Sequence, residues 1–400
     1  MPTVLAFAWN HAVFTATDAI EASGLTRSTV IGLCDDLLKR GWLTELPDSR
    51  AAGAYQKGRP ARRYAFAASR AVVVGVDAGA HSVTVVVADL RGTHLGGATA
   101  SRRHTDRPTR ATRLAAIDQS ITKALADAAV QPEQVLCVVV GVPAPTNADG
   151  ASPTVGEGFW QAMNPGIGSH LRARGWHTLV ENDANLAAIA EGAIGAATGM
   201  DSYVTVLCDE RMGAGCVVDG ALMRGSRGGV GELHILDFVE QVGDTDGVGV
   251  LAKRWAHEAL ASGVATPGSV LAGLPPEDLS AEKILAAMDT DAVAAGIGER
   301  LAGRLAWVSA LLGSLFDADR IVFAGAVAPS LTPVLALSAE VLPTLMPSQV
   351  PSLVASTLGR EVVAIGAVHH AVTWAKANVR ALLADPASMH DASQTAPASR

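Results

Sequence analysis

The stretch Val180-Glu181-Asn182-Asp183-Ala184-Asn185 constrains this chain more than any other. The apolar run Thr178-Leu179-Val180 enters it as a strand end, and Leu186, Ile189 and Ile194 leave it at helical spacing. Residues 182–185 therefore stand at a strand-to-helix junction. Open α/β sheets bind ligands at such junctions, outside the carboxyl ends of their strands. A carboxylate placed there, such as Asp183, could take the proton of a hydroxyl as it attacks phosphorus. The plainer alternative is that Asn185 or Asp183 only caps the helix.

At 400 residues the chain exceeds what one core usually supports, so two or three domains are expected. Hydrophobic content of 49%, carried mostly by Ala and Val, and 40 glycines fit a packed α/β protein with many tight turns. Cys34, Cys137, Cys208 and Cys216 lie far apart and form no C-x-x-C pair, against both a zinc knuckle and a disulfide framework. No basic leader precedes the first apolar residues, and no apolar run reaches the roughly 18 residues of a membrane span. The expected setting is the cytoplasm, with no membrane partner.

The net charge of −8 is unevenly spread. Residues 1–70 hold nine Lys/Arg against six Asp/Glu, and the remainder holds 22 against 33. A basic head on an acidic body is the electrostatic footprint of DNA binding, though ordinary surface variation gives the same split. The head reads as helix (Val4 to Phe14), helix (Ala19 to Ser23, ended by Gly24) and helix (Arg27 to Arg40, capped by Thr26 and stopped by Gly41). Helix, glycine-containing turn and helix make a helix-turn-helix. Thr26, Arg27, Ser28 and Thr29 then occupy the start of the recognition helix, where side chains reach bases and phosphates, while Asp35 and Asp36 must point away. Gly32 is unusual in mid-helix, where glycine costs about 1 kcal/mol relative to alanine. Leu43-Thr44-Glu45 and Tyr64-Ala65-Phe66 read as paired strands flanking a basic wing. Its Lys57, Arg59 and Arg62 suit the minor groove, and a charged linker is the alternative.

In the body, Ala71 to Asp89 reads as a hairpin with Asp77-Ala78-Gly79 at its turn, which can approach a phosphate or be only a hairpin. A helix (Leu114 to Ala129), a strand (Val135 to Val140) and the loop Gly141-Val142-Pro143-Ala144-Pro145 follow. Gly156-Glu157-Gly158-Phe159-Trp160 brings aromatic residues that can stack on a sugar face, although such residues are more often core. Tyr203 to Cys208 and Cys216 to Asp219 read as strands around Asp209-Glu210-Arg211-Met212-Gly213-Ala214-Gly215. Gly225 to Glu232 is a second glycine-rich turn. Helices over Gly247 to Ala261 and Ala281 to Phe316, a strand over Arg320 to Gly325, and a last strand and helix over Glu361 to Leu383 complete the body. Asp385 to Arg400 has the composition of a disordered tail.

Taken in order, these motifs resemble the ROK family (repressor, open reading frame, kinase) over residues 15–383. The most specific are Glu181-Asn182-Asp183-Ala184-Asn185, Gly141-Val142-Pro143-Ala144-Pro145, the run from Gly213 to Glu232, and Leu358-Gly359-Arg360-Glu361 with Ala364-Ile365-Gly366-Ala367. The resemblance implies a two-lobed, actin-like ATPase fold behind a winged helix-turn-helix, the mark of the repressor branch. The expected divisions are a DNA-binding head (1–70), a first lobe (71–184, with a returning helix at 364–384), a second lobe (185–363) and a tail (385–400). It implies that Asn182, Asp183 and Glu232 contact a sugar, near Gly156 and Glu157. It also implies that Asp77, Gly79, Gly213 and Gly215 belong to loops that face ATP and its metal.

The departures matter as much. His81 stands near a family threonine, and Asp209-Glu210-Arg211 stands where Gly-Thr-Gly is expected. Two carboxylates there repel a triphosphate, and losing one well-placed donor typically costs about 10² to 10³ in rate. The cysteine cluster for zinc is absent, Ala324-Gly325 replaces a glycine pair, and in Gly231-Glu232-Leu233-His234 the histidine is displaced by one position. The expectation is a DNA-binding regulator, taken as a repressor, that senses a sugar or sugar derivative, needs no cofactor or metal, and assembles as a dimer or tetramer. An ATP-dependent sugar kinase with an appended DNA-binding domain is the rival; a constitutive DNA-binding protein with a dimerisation body is the third reading.

Overall fold

The computed structural model describes residues 1–47, 61–101, 109–154, 158–262, 269–346 and 348–383. The predicted wing residues Lys57 and Arg59, the loop residues Gly156 and Glu157 and the tail over 385–400 lie outside them.

The head is a winged helix-turn-helix. Helix Pro2–Asn10 is followed by Ala16–Ser23, which starts at a capping box between Thr15 and Asp18 and ends at Gly24 in the left-handed conformation, φ 68°. Arg27–Lys39 is the recognition helix, capped by Thr26, whose hydroxyl accepts from the Thr29 amide at 3.4 Å. The first helix stops four residues short of the expected Phe14, because Phe14–Thr15 forms a strand instead. That strand pairs with Arg63–Phe66, which also pairs with Leu43–Leu46, giving a three-stranded antiparallel sheet. Burial of Phe14 against Tyr64 decides the matter.

The body contains two five-stranded sheets of one topology. In the first, the order is His94–Ser101, Ser82–Asp89, Val72–Ala78, Val135–Val142, His177–Asn182; the first pairs are antiparallel and the last two parallel. Alternation sorts its side chains. Val72, Val74 and Val76 pack with Leu114, Ile117 and Ile121 of helix Arg110–Asp127, while Val73 packs with Ala364, Ala367 and Val368 of helix Val362–Ala377. Gly75 lies under that second helix, where a Cβ would overlap the Ala364 carbonyl. The second sheet runs Ala221–Met223, Gly213–Val218, Tyr203–Leu207, Arg320–Ala324, Ser352–Ala355, covered on one face by Val248–Ala261 and Ala292–Phe316.

Helix Asp183–Ile194 lies between the sheets. Its Leu186, Ala187 and Ala190 join the core of helix Val362–Ala377, and Ala188 packs with Tyr203 and Val322 of the second sheet. At Gly366 a Cβ would overlap the Leu186 carbonyl, so glycine sets this helix contact. Two expectations are corrected here. The segment from Ala281 to Phe316 is two helices, Ala281–Ala286 and Ala292–Phe316, because Asp291 turns to cap the second with both Val293 and Ala294 amides. The final strand is Ser352–Ala355, so residues 362–377 are wholly helical.

Head and body share one core: Trp9, Phe14 and Phe66 belong to the same cluster as Leu90, Val372, Leu382 and Leu383. The Trp9 indole donates to the Leu90 carbonyl (2.9 Å) and Arg40 to the Leu383 carbonyl (2.9 Å).

Candidate functional site: the interlobe cleft

A cleft of about 1190 Å³ opens between the two sheets. The first sheet delivers Asp77 and Gly79 from its hairpin and Asn182 from its last strand, and the intervening helix delivers Asp183. The second sheet delivers Asp209 to Gly213, and Glu232 follows from the glycine-rich turn. Phe159 and Trp160 line it, with the Trp160 ring 6.2 Å from that of His234. Thus Asp77, Gly79, Asn182, Asp183, Gly213 and Glu232 come together in one cavity. Gly215 has a packing duty instead, since a Cβ there would overlap the Ala184 carbonyl.

Asn182 is engaged as a cap. Its Oδ1 accepts from the Asn185 amide (3.1 Å) and its Nδ2 donates to the Ala144 carbonyl (3.3 Å). The cap of this helix is Asn182 rather than the expected Asn185 or Asp183, and Asp183 lines the cavity beside it. Asp183 Oδ1 accepts from the Ala184 amide at 2.8 Å. Burial, with Asp77 and Glu232 close by, pushes the Asp183 carboxyl up to about 8 against that amide's pull. Burial likewise raises Asp77 to about 7, with Arg113 pulling down and Asp209 pushing up. Glu232 is raised by burial, although His234 and Arg211 draw it back. This end of the cleft thus concentrates carboxyl groups whose ionisation burial disfavours.

Glu181, one residue before Asn182, is different and was not singled out from sequence. Burial works against its charge, but Arg224 Nε (2.6 Å), the Asn182 amide (2.9 Å), Asn185 Nδ2 (3.0 Å) and Thr146 (3.2 Å) hold it below the usual carboxylate range. Arg224 follows strand Ala221–Met223 of the second sheet, so this ion pair, buried on its Glu181 side, ties one sheet to the other under the cleft. A charged residue closing an apolar strand was the available signal. Arg113 was also missed: it reads as a surface arginine, yet it is 1% exposed and donates to the Met163 (2.7 Å), Gly79 (2.9 Å) and Ala78 carbonyls, fixing the first hairpin turn.

The other end of the cleft is differently arranged. Asp209 accepts from the Ala326 and Val327 amides (2.8 and 2.9 Å), and Glu210 Oε2 lies 3.2 Å from His81 Nε2 of the opposite hairpin. Arg211 donates to Thr245 (2.7 Å). Arg304 grips the Asp244 carboxylate at 2.7 Å together with the Val242 carbonyl, which holds the 242–246 loop beneath. Among the described residues no group of three or more His, Cys, Asp or Glu is arranged to hold a metal.

These findings place the comparisons. The ROK family model matches residues 73–373. The chain belongs to the ROK family. A solved ROK family transcriptional regulator, a homolog of the E. coli MLC protein, resembles this ROK protein with a TM-score of 0.71 at 20% identity, covering 96% of this chain and 98% of that one. Its likeness spans head and body together. A ROK family glucokinase from Streptomyces griseus, solved with glucose and AMPPNP, has a TM-score of 0.56 at 21% identity over 74% of this chain and 98% of its own. The xylose repressor of Caldicellulosiruptor bescii is 22% identical over 257 residues, so the match spans 63% of this chain and 62% of that relative. The ATP that the family implies does not fit the residues present: Asp209 already holds the amides of Ala326 and Val327, and Glu210 adds a second carboxylate.

In the head, Arg27, Ser28 and Thr29 are exposed on the first turn of the recognition helix. Arg62 is held by Glu45 and Asp35, each at 2.7 Å, and Asp36 lies 3.4 Å from Arg40. The two acidic residues of the recognition helix are thereby neutralised. No helix among the described residues is long and apolar enough to cross a membrane.

Proposed function

We propose that this ROK protein is a cytoplasmic transcriptional repressor that binds double-stranded DNA through its head and a sugar or sugar derivative in the open end of its cleft. Asn182, Asp183 and Glu232 take the sugar hydroxyls, with Phe159 and Trp160 beside the ring. Thr26 to Thr29 and the wing contact DNA, and the protein acts as a homodimer or tetramer. The observation that carries this reading is the continuous core from head to cleft. Helix Val362–Ala377 lines the cleft with Val362 and Val363, and beyond it Leu382 and Leu383 pack in the cluster that holds Trp9 and Phe14. Ligand drawn between the lobes would move that helix against the head. In a dimer the two recognition helices would then leave half-sites that lie about 34 Å apart. The regulator and xylose repressor likenesses support this reading, and the head supports it over an isolated enzyme.

The test is to select duplexes from a random-sequence library with the full chain, then titrate them with and without hexoses, pentoses and N-acetylated amino sugars. Release of DNA by one sugar class is expected. A sugar that binds tightly yet leaves DNA affinity unchanged would refute the mechanism. The rival, an ATP-dependent sugar kinase, rests on Asp183 at the helix start and on the kinase likenesses. ADP release from ATP in the presence of the bound sugar would establish it.

A further inference from the structure

Strand Tyr203–Leu207 runs on through Cys208 into Asp209 and Glu210 of the second hairpin turn. Both oxygens of Asp209 are used: Oδ2 accepts from the Ala326 amide at 2.8 Å and Oδ1 from the Val327 amide at 2.9 Å. Successive amides that converge on one anion in this way are how backbone binds phosphate oxygens. The seat is shaped for its occupant. Gly325, at φ 117°, lies so close that a Cβ there would run into the Asp209 carboxylate, and at Gly247 and Gly249 a Cβ would press on the Asp209 backbone. Burial pushes the Asp209 carboxyl up, and the Val327 and Ala326 amides and Arg360, which lines the same cleft, pull it back. The next residue, Glu210, reaches the opposite hairpin at His81, 3.2 Å away. One dipeptide therefore fills an anion seat on its own lobe and touches the other lobe.

We infer that Asp209 and Glu210 are a built-in substitute for an oligophosphate: Asp209 occupies the Ala326–Val327 seat, Glu210 bridges the lobes, and soluble oligophosphates are thereby excluded from a cleft whose other end stays open. This stands on side-chain geometry and holds whichever sugar, if any, the open end takes. Emptying the seat should transfer it to a soluble anion.

The experiment compares thermal melting of the full-length wild type with Asp209→Ala, each with and without millimolar inorganic triphosphate, and in parallel with ATP. Asp209→Ala should melt below the wild type, and triphosphate should raise the variant while leaving the wild type unmoved. Two regained charge-assisted bonds correspond to affinity about tenfold or more above wild type by calorimetry. A response to triphosphate and ATP alike means that the seat reads phosphate alone; a response only to ATP means that a nucleoside contact is also needed, and either supports the substitution. If Asp209→Ala does not fold, Asp209→Ser, which is too short to fill the seat, takes its place with the same readout. Variants that fold and gain no affinity for either anion overturn the inference, as does a wild type that binds triphosphate as tightly as the variant. None of these outcomes depends on sugar or DNA.

Discussion

The two ends of the cleft answer the same problem, buried carboxylates, in opposite ways. At the open end Asp183 and Asp77 sit with few donors and are pushed up to about 8 and about 7. At the closed end burial also raises the Asp209 carboxyl, but two backbone amides and Arg360 draw it back, and Glu210 meets His81. Unpaired polar groups in a cavity are costly to stability and useful to a ligand, whereas paired ones are neither. The difference marks where this ROK protein keeps binding capacity and where it has spent it on itself.

The sharpest way to break that comparison is to cut the strut beneath both ends. Glu181→Ala removes the carboxylate that joins Arg224, Asn185 and Thr146. Removing one partner of a fully buried pair costs about 3–5 kcal/mol; with Arg224 half-exposed, the expected loss is about 2–3 kcal/mol by denaturant unfolding. Because the folded-state Glu181 carboxyl is held below its ordinary value of 4.5, its contribution is present above that pH and fades as pH falls through the lower folded value. Wild type and variant should therefore converge in acid. An unchanged unfolding midpoint near neutral pH would mean that the lobes are held by other contacts.

How much of this was legible in sequence follows from distance along the chain. Capping residues act within three positions, so Thr26 marked its helix start correctly, and the cap beside the cleft was misplaced only from Asn182 to Asn185 or Asp183. The apolar run from Val72 to Val76 likewise marked a strand, and the glycine-rich turns led to the cleft. Strand Phe14–Thr15 was not legible, because two residues carry no period and their partner is Arg63–Phe66. Nor was the Glu181–Arg224 pair, whose members lie 43 residues apart. The acidic substitutions at Asp209 and Glu210 could be read as hostile to phosphate; that Asp209 replaces one needed Ala326 and Val327, 117 and 118 residues away.

Asp183→Asn sharpens the contrast at the open end. A lost carboxyl hydrogen bond to a sugar hydroxyl should weaken sugar binding about 10-fold by calorimetry, while DNA affinity without sugar stays unchanged. Its stability should move the other way. The wild-type carboxyl is raised from 3.8 to about 8, so the folded protein keeps a proton that the unfolded chain has released between those values. Wild-type stability is therefore full below the lower value and declines as pH rises toward the upper one. Asp183 is only partly shielded from water, which limits the gain, so the variant should exceed wild type by about 1–2 kcal/mol at pH 8 and match it near pH 4. Equal pH profiles would show that Asp183 is not strained by its neighbours.

The smallest effect belongs to the closed end. His81 and Glu210 meet at 3.2 Å, but their side chains are 31% and 49% exposed, so water competes for both. Pairs of this kind contribute below about 1 kcal/mol, and His81→Ala should lower unfolding stability by no more than that. Its value lies in what it leaves standing. Asp209 keeps its two amides when His81 is gone, so the seat remains filled and triphosphate should still fail to bind. If His81→Ala alone admitted triphosphate, the clasp across the lobes rather than the occupied seat would be what closes this end. The two contributions would then have to be reversed in rank.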